Sequence, residues 1–188
     1  MQMIARAAEA ICRSHRSGGR LLVCGNGGSA ADADHIVGEL AKGFQRPRPL
    51  PEPLRAALLA AGMPEACRLQ AGVAAFSLVA QGGLISAIAN DQHPDLIFAQ
   101  QVCAYGRPGD CLLALSTSGR SLNVLRAAQT ARALGLIVIA FTGRDGGPLA
   151  PLADHAVRAP ADGTAAVQEL HLPLYHALCA TIEAELFP

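Results

Sequence analysis

At 188 residues the chain suits one domain, and a composition that is 51% hydrophobic supplies a core that needs no disulfide staples. Fifteen basic and fifteen acidic side chains cancel, which argues against an electrostatic grip on DNA, RNA or an anionic membrane. Aromatic residues make up only 4% and Trp is absent, so stacking on nucleic-acid bases is a poor reading too, and the core must be Ala, Val, Leu and Ile.

In chain order, residues 3–16 have the pattern of an amphipathic helix ended by Ser17-Gly18-Gly19. Arg20 to Cys24 reads as a buried strand that empties into Gly25-Asn26-Gly27-Gly28-Ser29, and Ala30 to Lys42 is helical again. Four prolines in 45–53 exclude regular structure there. A short helix over roughly 53–61 follows, then Gly62-Met63-Pro64, another helical stretch, and Gly82-Gly83. Leu84 to Ala89 reads as either a strand or the start of a helix, ending at Asn90-Asp91. Residues 95–104 are helical in pattern. Asp110 to Leu115 is a second buried strand, and it empties into Ser116-Thr117-Ser118-Gly119-Arg120-Ser121. A helix over about 121–134, a third strand over 136–141, a short fourth at Ala156-Val157-Arg158 and a long helix over 164–186 complete the chain. Strands that alternate with helices predict an α/β fold: a three-layer sandwich with a central parallel sheet flanked by helices, forming one domain over 1–188. Ligands of such sheets sit at the carboxyl ends of the strands, and three of those ends are rich in Gly, Ser, Thr and Asn.

The 116–121 loop brings four hydroxyls to a helix N-terminus, whose free N–H groups and partial positive charge suit a phosphate. Neutral donors of this kind let a chain of zero net charge bind an anion. The plainer alternative is that Ser118 or Ser121 is only a helix cap. The 25–29 loop is neither a dinucleotide fingerprint, since Ala30 fills the slot of the last glycine, nor a P-loop, since no Gly-Lys-Ser/Thr follows. Its glycines permit close approach of a ligand, with Asn26 and Ser29 as hydrogen-bonding groups; a tight strand-to-helix turn is the alternative.

His35 and Glu39 stand at i and i+4 on one helix face. Gln168 and His176, eight residues apart on the last helix, differ by about 80° around its axis and can face one cleft. Two His, a Glu and a Gln would make a mixed N/O site for Zn²⁺ or a similar ion, although an exposed Glu–His pair is the commoner meaning of such spacing. His171 is a further polar candidate near Gln168, with a solvated helix face as the plainer alternative. The six cysteines form no C-x-x-C pair and read as reduced thiols in a cytoplasmic protein. The N-terminal stretch lacks a signal-peptide layout, and no run is long and apolar enough to span a bilayer.

Six motifs fall in order: C-G-N-G-G-S at 24–29, H-x-x-x-E at 35–39, N-D at 90–91, S-T-S-G-x-S at 116–121, T-G-x-D-G-G at 142–147 and Q-E-x-H-x-x-x-x-H at 168–176. Together they resemble the phosphoheptose isomerases, which are built on a sugar-isomerase (SIS) domain. The resemblance implies a flavodoxin-like SIS sandwich, a homotetramer with active sites at subunit interfaces, and conversion of sedoheptulose 7-phosphate into D-glycero-D-manno-heptose 7-phosphate. It implies a phosphate held by Ser116, Thr117, Ser118 and Ser121, and a sugar site lined by Asn26, Gly27, Gly28, Ser29, Asn90 and Asp91. It also implies zinc on His35, Glu39, Gln168 and His176, with Glu39 and Gln168 touching substrate as well. Glu39 as base and His176 as acid would move a proton through an enediol. Against the family pattern, the segment before Cys24 is short and the Pro-rich connection with its helix, 45–72, is long. Two other readings compete: a non-catalytic SIS protein that binds the replication initiator, and a sugar-phosphate sensor. The first typically lacks the carboxylate and imidazole present here as Glu39 and His176; the second needs only the 116–121 loop.

Overall fold

The computed structural model describes residues 2–188. Five parallel strands, β1 (Leu21–Cys24), β2 (Ala75–Ser77), β3 (Cys111–Leu115), β4 (Ile137–Thr142) and β5 (His155–Arg158), form one sheet in the order β2-β1-β3-β4-β5. Seven helices surround it: α1 (Gln2–Arg16), α2 (Gly28–Ala41), α3 (Glu52–Ala60), α4 (Gly82–Asp91), α5 (Ile97–Tyr105), α6 (Leu122–Ala133) and α7 (Thr164–Leu186).

The central strands are continuous apolar runs because both their faces are covered. Side chains alternate across a strand, so each run divides between two cores. Leu21, Val23, Cys111, Leu113, Leu115, Ile139 and Phe141 face α1, α2 and α7. Leu22, Cys24, Leu112, Ala114, Val138 and Ala140 face α5 and α6. Small residues let helices sit close: Ala7, Ala8 and Ala10 of α1 and Ala127, Ala128 and Ala131 of α6 are all buried.

The register sets the level of the loops. Cys24 lies opposite Ala114, and Leu115 opposite Phe141, so β1, β3 and β4 end side by side. β1 sends its chain to one side of the sheet and β3 to the other. The crevice between their carboxyl ends is therefore the switch point at which open α/β sheets bind ligands.

Two expectations are corrected and one open alternative is decided. The stretch after Met63 is a single 3-10 turn, Pro64–Arg68, followed by the edge strand β2. Ala75 and Ser77 of β2 are half-covered and Phe76 between them is exposed, too short a run to read as a strand from the sequence; pairing with β1 creates it. Leu84 to Ala89, which reads as either a strand or the start of a helix, lies within helix α4. His171 is not on a solvated face: it is 0% exposed and sits edge-on to Phe141, because the face of α7 that carries it lies on the sheet.

Candidate active site

The loops after β1 and β3 meet at the switch point. The side-chain amides of Asn26 and Asn123 exchange two hydrogen bonds of 2.8 and 2.9 Å, which ties the first loop to the opening turn of α6. Gly28 opens α2, and a Cβ there would stand 2.4 Å from Nε2 of Gln168. Only glycine lets the Gln168 amide lie against that helix N-terminus.

In the hydroxyl loop, Ser116 is buried, Thr117 half-buried and Ser118 exposed. The Ser121 side chain makes no cap bond to α6 and instead lies 3.1 Å from Ser116 Oγ. The cap reading therefore fails for Ser121. Ser118 Oγ accepts from Arg120 N at 3.2 Å, which leaves its hydroxyl proton free to donate outward. The first-turn N–H groups of α6 open onto the same loop and lack intrahelical acceptors. Gly119, at φ +63°, approaches the Gly146 carbonyl so closely that a Cβ would lie 2.2 Å from its oxygen. Gly143 N donates to Thr117 O at 2.8 Å, so the β4 turn buttresses the loop. A cavity of about 180 Å³ opens here, lined by Thr117, Ser118, Arg120, Gly143, Arg144 and Asp145 among others. Arg120 is paired with Asp145 at 2.9 Å, so the loop's cation is already held by a carboxylate.

The second half of the site lies along α2 and α7, which run parallel, with partners 138–141 residues apart. Gln168 meets Gly28, Tyr175 and His176 meet His35, and Glu183 meets Phe44 and Gln45. His35 Nε2 lies 3.1 Å from Glu39 Oε1, and Lys42 Nζ lies 3.1 Å from Glu39 Oε2. Burial pushes the Glu39 pKa up, but the bonds from Lys42 and His35 outweigh it and hold the group below the ordinary glutamate value. The His35 and His176 rings meet edge to face at 5.1 Å, and Phe44 covers His176 at 5.4 Å. Nε2 of His176 is buried with no hydrogen-bond partner among the described residues. His171 is held neutral, chiefly by burial, against the opposing effect of its 3.3 Å contact with Thr142 O.

The structure thus gathers His35, Glu39 and His176, places Gln168 at the far end of the same interhelical seam, and keeps Asn26, Gly27, Gly28 and Ser29 at the switch point. Ser29 is buried in the first turn of α2, so its hydroxyl is the least available of these groups. Asn90 and Asp91 stand apart. They are exposed at the end of α4, and Asn90 Nδ2 donates to Asp91 Oδ1 at 2.8 Å. Sequence reasoning missed Asn123, Asp32 and Tyr175. Asp32 shares a face with His35 at i, i+3 spacing, a signal that was available; Tyr175 has none until α7 is laid on α2.

No group of three or more His, Cys, Asp or Glu side chains among the described residues is arranged to hold a metal ion. The donor chemistry of His35, Glu39 and His176 still suits one: two imidazoles and a carboxylate are adjacent, and one imidazole nitrogen is buried and unsatisfied.

The SIS domain family matches residues 66–183, and a second SIS domain description matches residues 1–69. The phosphoheptose isomerase of Shewanella sediminis is 41% identical over 190 residues, which span 100% of this chain and 85% of that protein. That of Rhodospirillum rubrum is 41% identical, over 97% of this chain and 86% of the relative. The structure of phosphoheptose isomerase GmhA from Neisseria gonorrhoeae superposes with a TM-score of 0.80 at 36% identity, over 98% of this chain and 86% of that one. The chain belongs to the phosphoheptose isomerase family of SIS-domain proteins.

Proposed function

We propose that this protein is a sugar-phosphate aldose–ketose isomerase that interconverts sedoheptulose 7-phosphate and D-glycero-D-manno-heptose 7-phosphate. Isomerase relatives at about two-fifths identity over the whole chain support the reaction class. The observation that carries the chemistry is the seating of His176 beside the His35–Glu39 pair, with its Nε2 buried and without a partner. A non-catalytic or sensory SIS protein would have no use for an acid and a base placed together.

In the ketose-to-aldose direction Glu39 takes a proton from C1 while His176 gives one to the C2 carbonyl oxygen, forming an enediol. The hydroxyl at C1 then loses its proton as C2 gains one, and the carbonyl has moved to C1. No redox partner is needed, because the hydrogen count of the sugar does not change. Ser116, Thr117, Ser118 and Ser121, with the first turn of α6, hold the phosphate. Asn26, Gly27, Gly28 and Gln168 line the sugar path, and Asn90 and Asp91 complete it. His35, Glu39 and His176 would hold Zn²⁺, whose charge would stabilise an oxyanion on the substrate; Gln168, at the far end of the seam beside Gly28, would join them only from another subunit.

Glu39 lies eleven residues beyond Gly28, about 16 Å along the helix at 1.5 Å per residue. That exceeds the reach of a seven-carbon sugar phosphate seated in the same chain's 116–121 loop. The distance supports a homo-oligomer, read as a tetramer, in which one subunit's Glu39 and His176 act on a sugar whose phosphate another subunit holds. It likewise accounts for the separation of Asn90 and Asp91. No helix among the described residues is long and apolar enough to cross a membrane, which agrees with a cytoplasmic enzyme.

The test is turnover of sedoheptulose 7-phosphate followed by NMR, with protein as prepared, after chelation, and after Zn²⁺ is restored. Activity that chelation removes and zinc restores supports reaction and metal together. Activity indifferent to chelation keeps the isomerase and removes the metal. Saturable binding of the sugar phosphate without turnover would overturn the enzyme reading in favour of a sensor.

A further inference from the structure

Where the loops after β1 and β3 meet, one contact fixes a direction as well as a distance. Asn26 is exposed at the switch point, and Asn123 is half-buried in the first turn of α6. Asn26 Nδ2 donates to Asn123 Oδ1 at 2.8 Å, and Asn123 Nδ2 donates to Asn26 Oδ1 at 2.9 Å. These are the only side-chain hydrogen bonds of Asn26 among the described residues. Asn123 Oδ1 accepts one bond more, from Val124 N at 2.9 Å. That third bond decides the other two. A main-chain N–H can only donate, so the Asn123 amide must turn its oxygen toward Val124. Asn26 can then pair with it in one orientation only, nitrogen to oxygen and oxygen to nitrogen. Turning both amides over would keep the pair but set Asn123 Nδ2 against Val124 N, donor against donor.

We propose that Asn123 is a positioning residue for the isomerase: it fixes which way the Asn26 amide faces the sugar, and where the sugar loop stands relative to the phosphate seat. The inference rests on the proposed reading of the 25–29 loop as the sugar side and the 116–121 loop as the phosphate side. With one N–H and one lone pair engaged by Asn123, the Asn26 amide keeps one N–H and one lone pair for the crevice. A hydroxyl is donor and acceptor at once, so the hydroxylated chain of a ketose phosphate can take both. Without Asn123 the amide is free to turn over, and its two groups would trade places. Position follows from the same contact. Asn123 lies two residues after Ser121, in the turn whose free N–H groups open onto the hydroxyl loop. The clasp therefore ties the loop that receives the sugar to the turn that receives its phosphate, and it sets their span before the ligand arrives. A ligand held at both ends loses affinity when that span is free to vary.

The test is a double-mutant cycle on Asn26 and Asn123, read as the dissociation constants of sedoheptulose 7-phosphate and of inorganic phosphate in NMR titrations. Asn26→Ala and Asn123→Ala should each weaken sugar-phosphate binding about 2- to 10-fold, the range of a neutral hydrogen bond. The double variant should bind no worse than Asn26→Ala alone, because Asn123 acts through Asn26. Inorganic phosphate should bind all four proteins alike. Losses that multiply in the double variant would overturn the positioning role and make Asn123 an independent contact. A parallel loss of inorganic phosphate would overturn it too, since α6 itself would then be disturbed. The Nδ2 protons of Asn26 should exchange with water about 2- to 10-fold more slowly in wild type than in Asn123→Ala; equal rates would mean that no clasp exists, whatever the ligand. If Asn123→Ala fails to fold, Asn123→Asp carries the cycle. It keeps the acceptor for Val124 N and loses only the donor to Asn26, and its added charge is read separately from inorganic phosphate. A wild type that binds inorganic phosphate but no sugar phosphate would overturn the sugar reading and this inference with it. Intact sugar-phosphate binding without coupling would overturn this inference alone.

Discussion

Glu39 is the residue on which the isomerase reading is most exposed. Replacement by Gln keeps the size and one acceptor but removes the base. Turnover of Glu39→Gln should fall by at least about 100-fold, with thermal unfolding unchanged, as general-base removal predicts; full activity would show that the base is another group. Ser118 tests the phosphate loop. Its oxygen already accepts from Arg120 N, so the proton is what a phosphate would receive. Losing one bond to a charged ligand costs about 1.5–3 kcal/mol, so Ser118→Ala should raise KM about 10- to 100-fold while kcat changes little. Ser121, by contrast, turned out not to be a helix cap, and only its pairing with Ser116 shows this. His171 and His176 show how little a histidine says alone. Both lie on α7, five residues apart; one is a core group on the sheet and the other stands in the acid–base cluster.

At the scale of elements, the parallel seam of α2 and α7 is held at its carboxyl end by a buried ion pair. Arg48 Nε lies 2.7 Å from Glu183 Oε1, with side-chain exposures of 0% and 1%. The same guanidinium donates to the carbonyls of Leu40 and Glu39, the last orphans of α2, and Glu183 accepts from Phe44 N and Gln45 N. The Pro-rich segment is thus a strap that closes the helix bearing His35 and Glu39. Arg48→Met strands a buried carboxylate and should cost about 3–5 kcal/mol of unfolding free energy in denaturant titration. Burial raises the Glu183 pKa, but the bonds from Phe44, Gln45 and Arg48 prevail and hold it below the ordinary glutamate value. A depressed carboxylate contributes stability above its unfolded pKa. That contribution is lost as pH falls from about 4.5, the ordinary value, through the lower folded one. Unfolding free energy of the wild type should therefore drop across that acid range, and Glu183→Gln should flatten the drop. An unaltered acid profile in the variant would remove Glu183 as its source.

For the whole molecule, the two-faced sheet decides which thiols meet solvent. Cys12, Cys24, Cys111 and Cys179 are buried, and Cys67 and Cys103 are exposed. Burial pushes Cys24, Cys111 and Cys179 up to about 12 and Cys12 up to about 11. A thiol reagent at neutral pH should modify two cysteines in the folded protein and six after denaturation. Activity should be indifferent to reductant, since all six cysteines are free thiols. More than two rapid reactions in native protein would mean that one core opens.

The order of strands and helices was legible because parallel strands covered on both faces are forced to be uninterrupted apolar runs, and Leu21–Cys24, Cys111–Leu115 and Ile137–Thr142 could be little else. The hydroxyl loop and the His35–Glu39 spacing were legible for the same local reason: a helix fixes the geometry of its own near neighbours. β2 was not, because three residues with an exposed Phe76 at their centre acquire strand character only from β1. Tyr175 against His35, Asn26 against Asn123 and Arg48 against Glu183 join residues 97 to 140 positions apart. No periodicity encodes such pairs; they exist only once α7 lies on α2 and the β1 and β3 loops meet at the switch point. The sequence by itself determined the class of fold and the chemical groups on offer. The tertiary structure decided which of those groups meet, since burial and orientation are properties of packed faces and not of spacing along the chain.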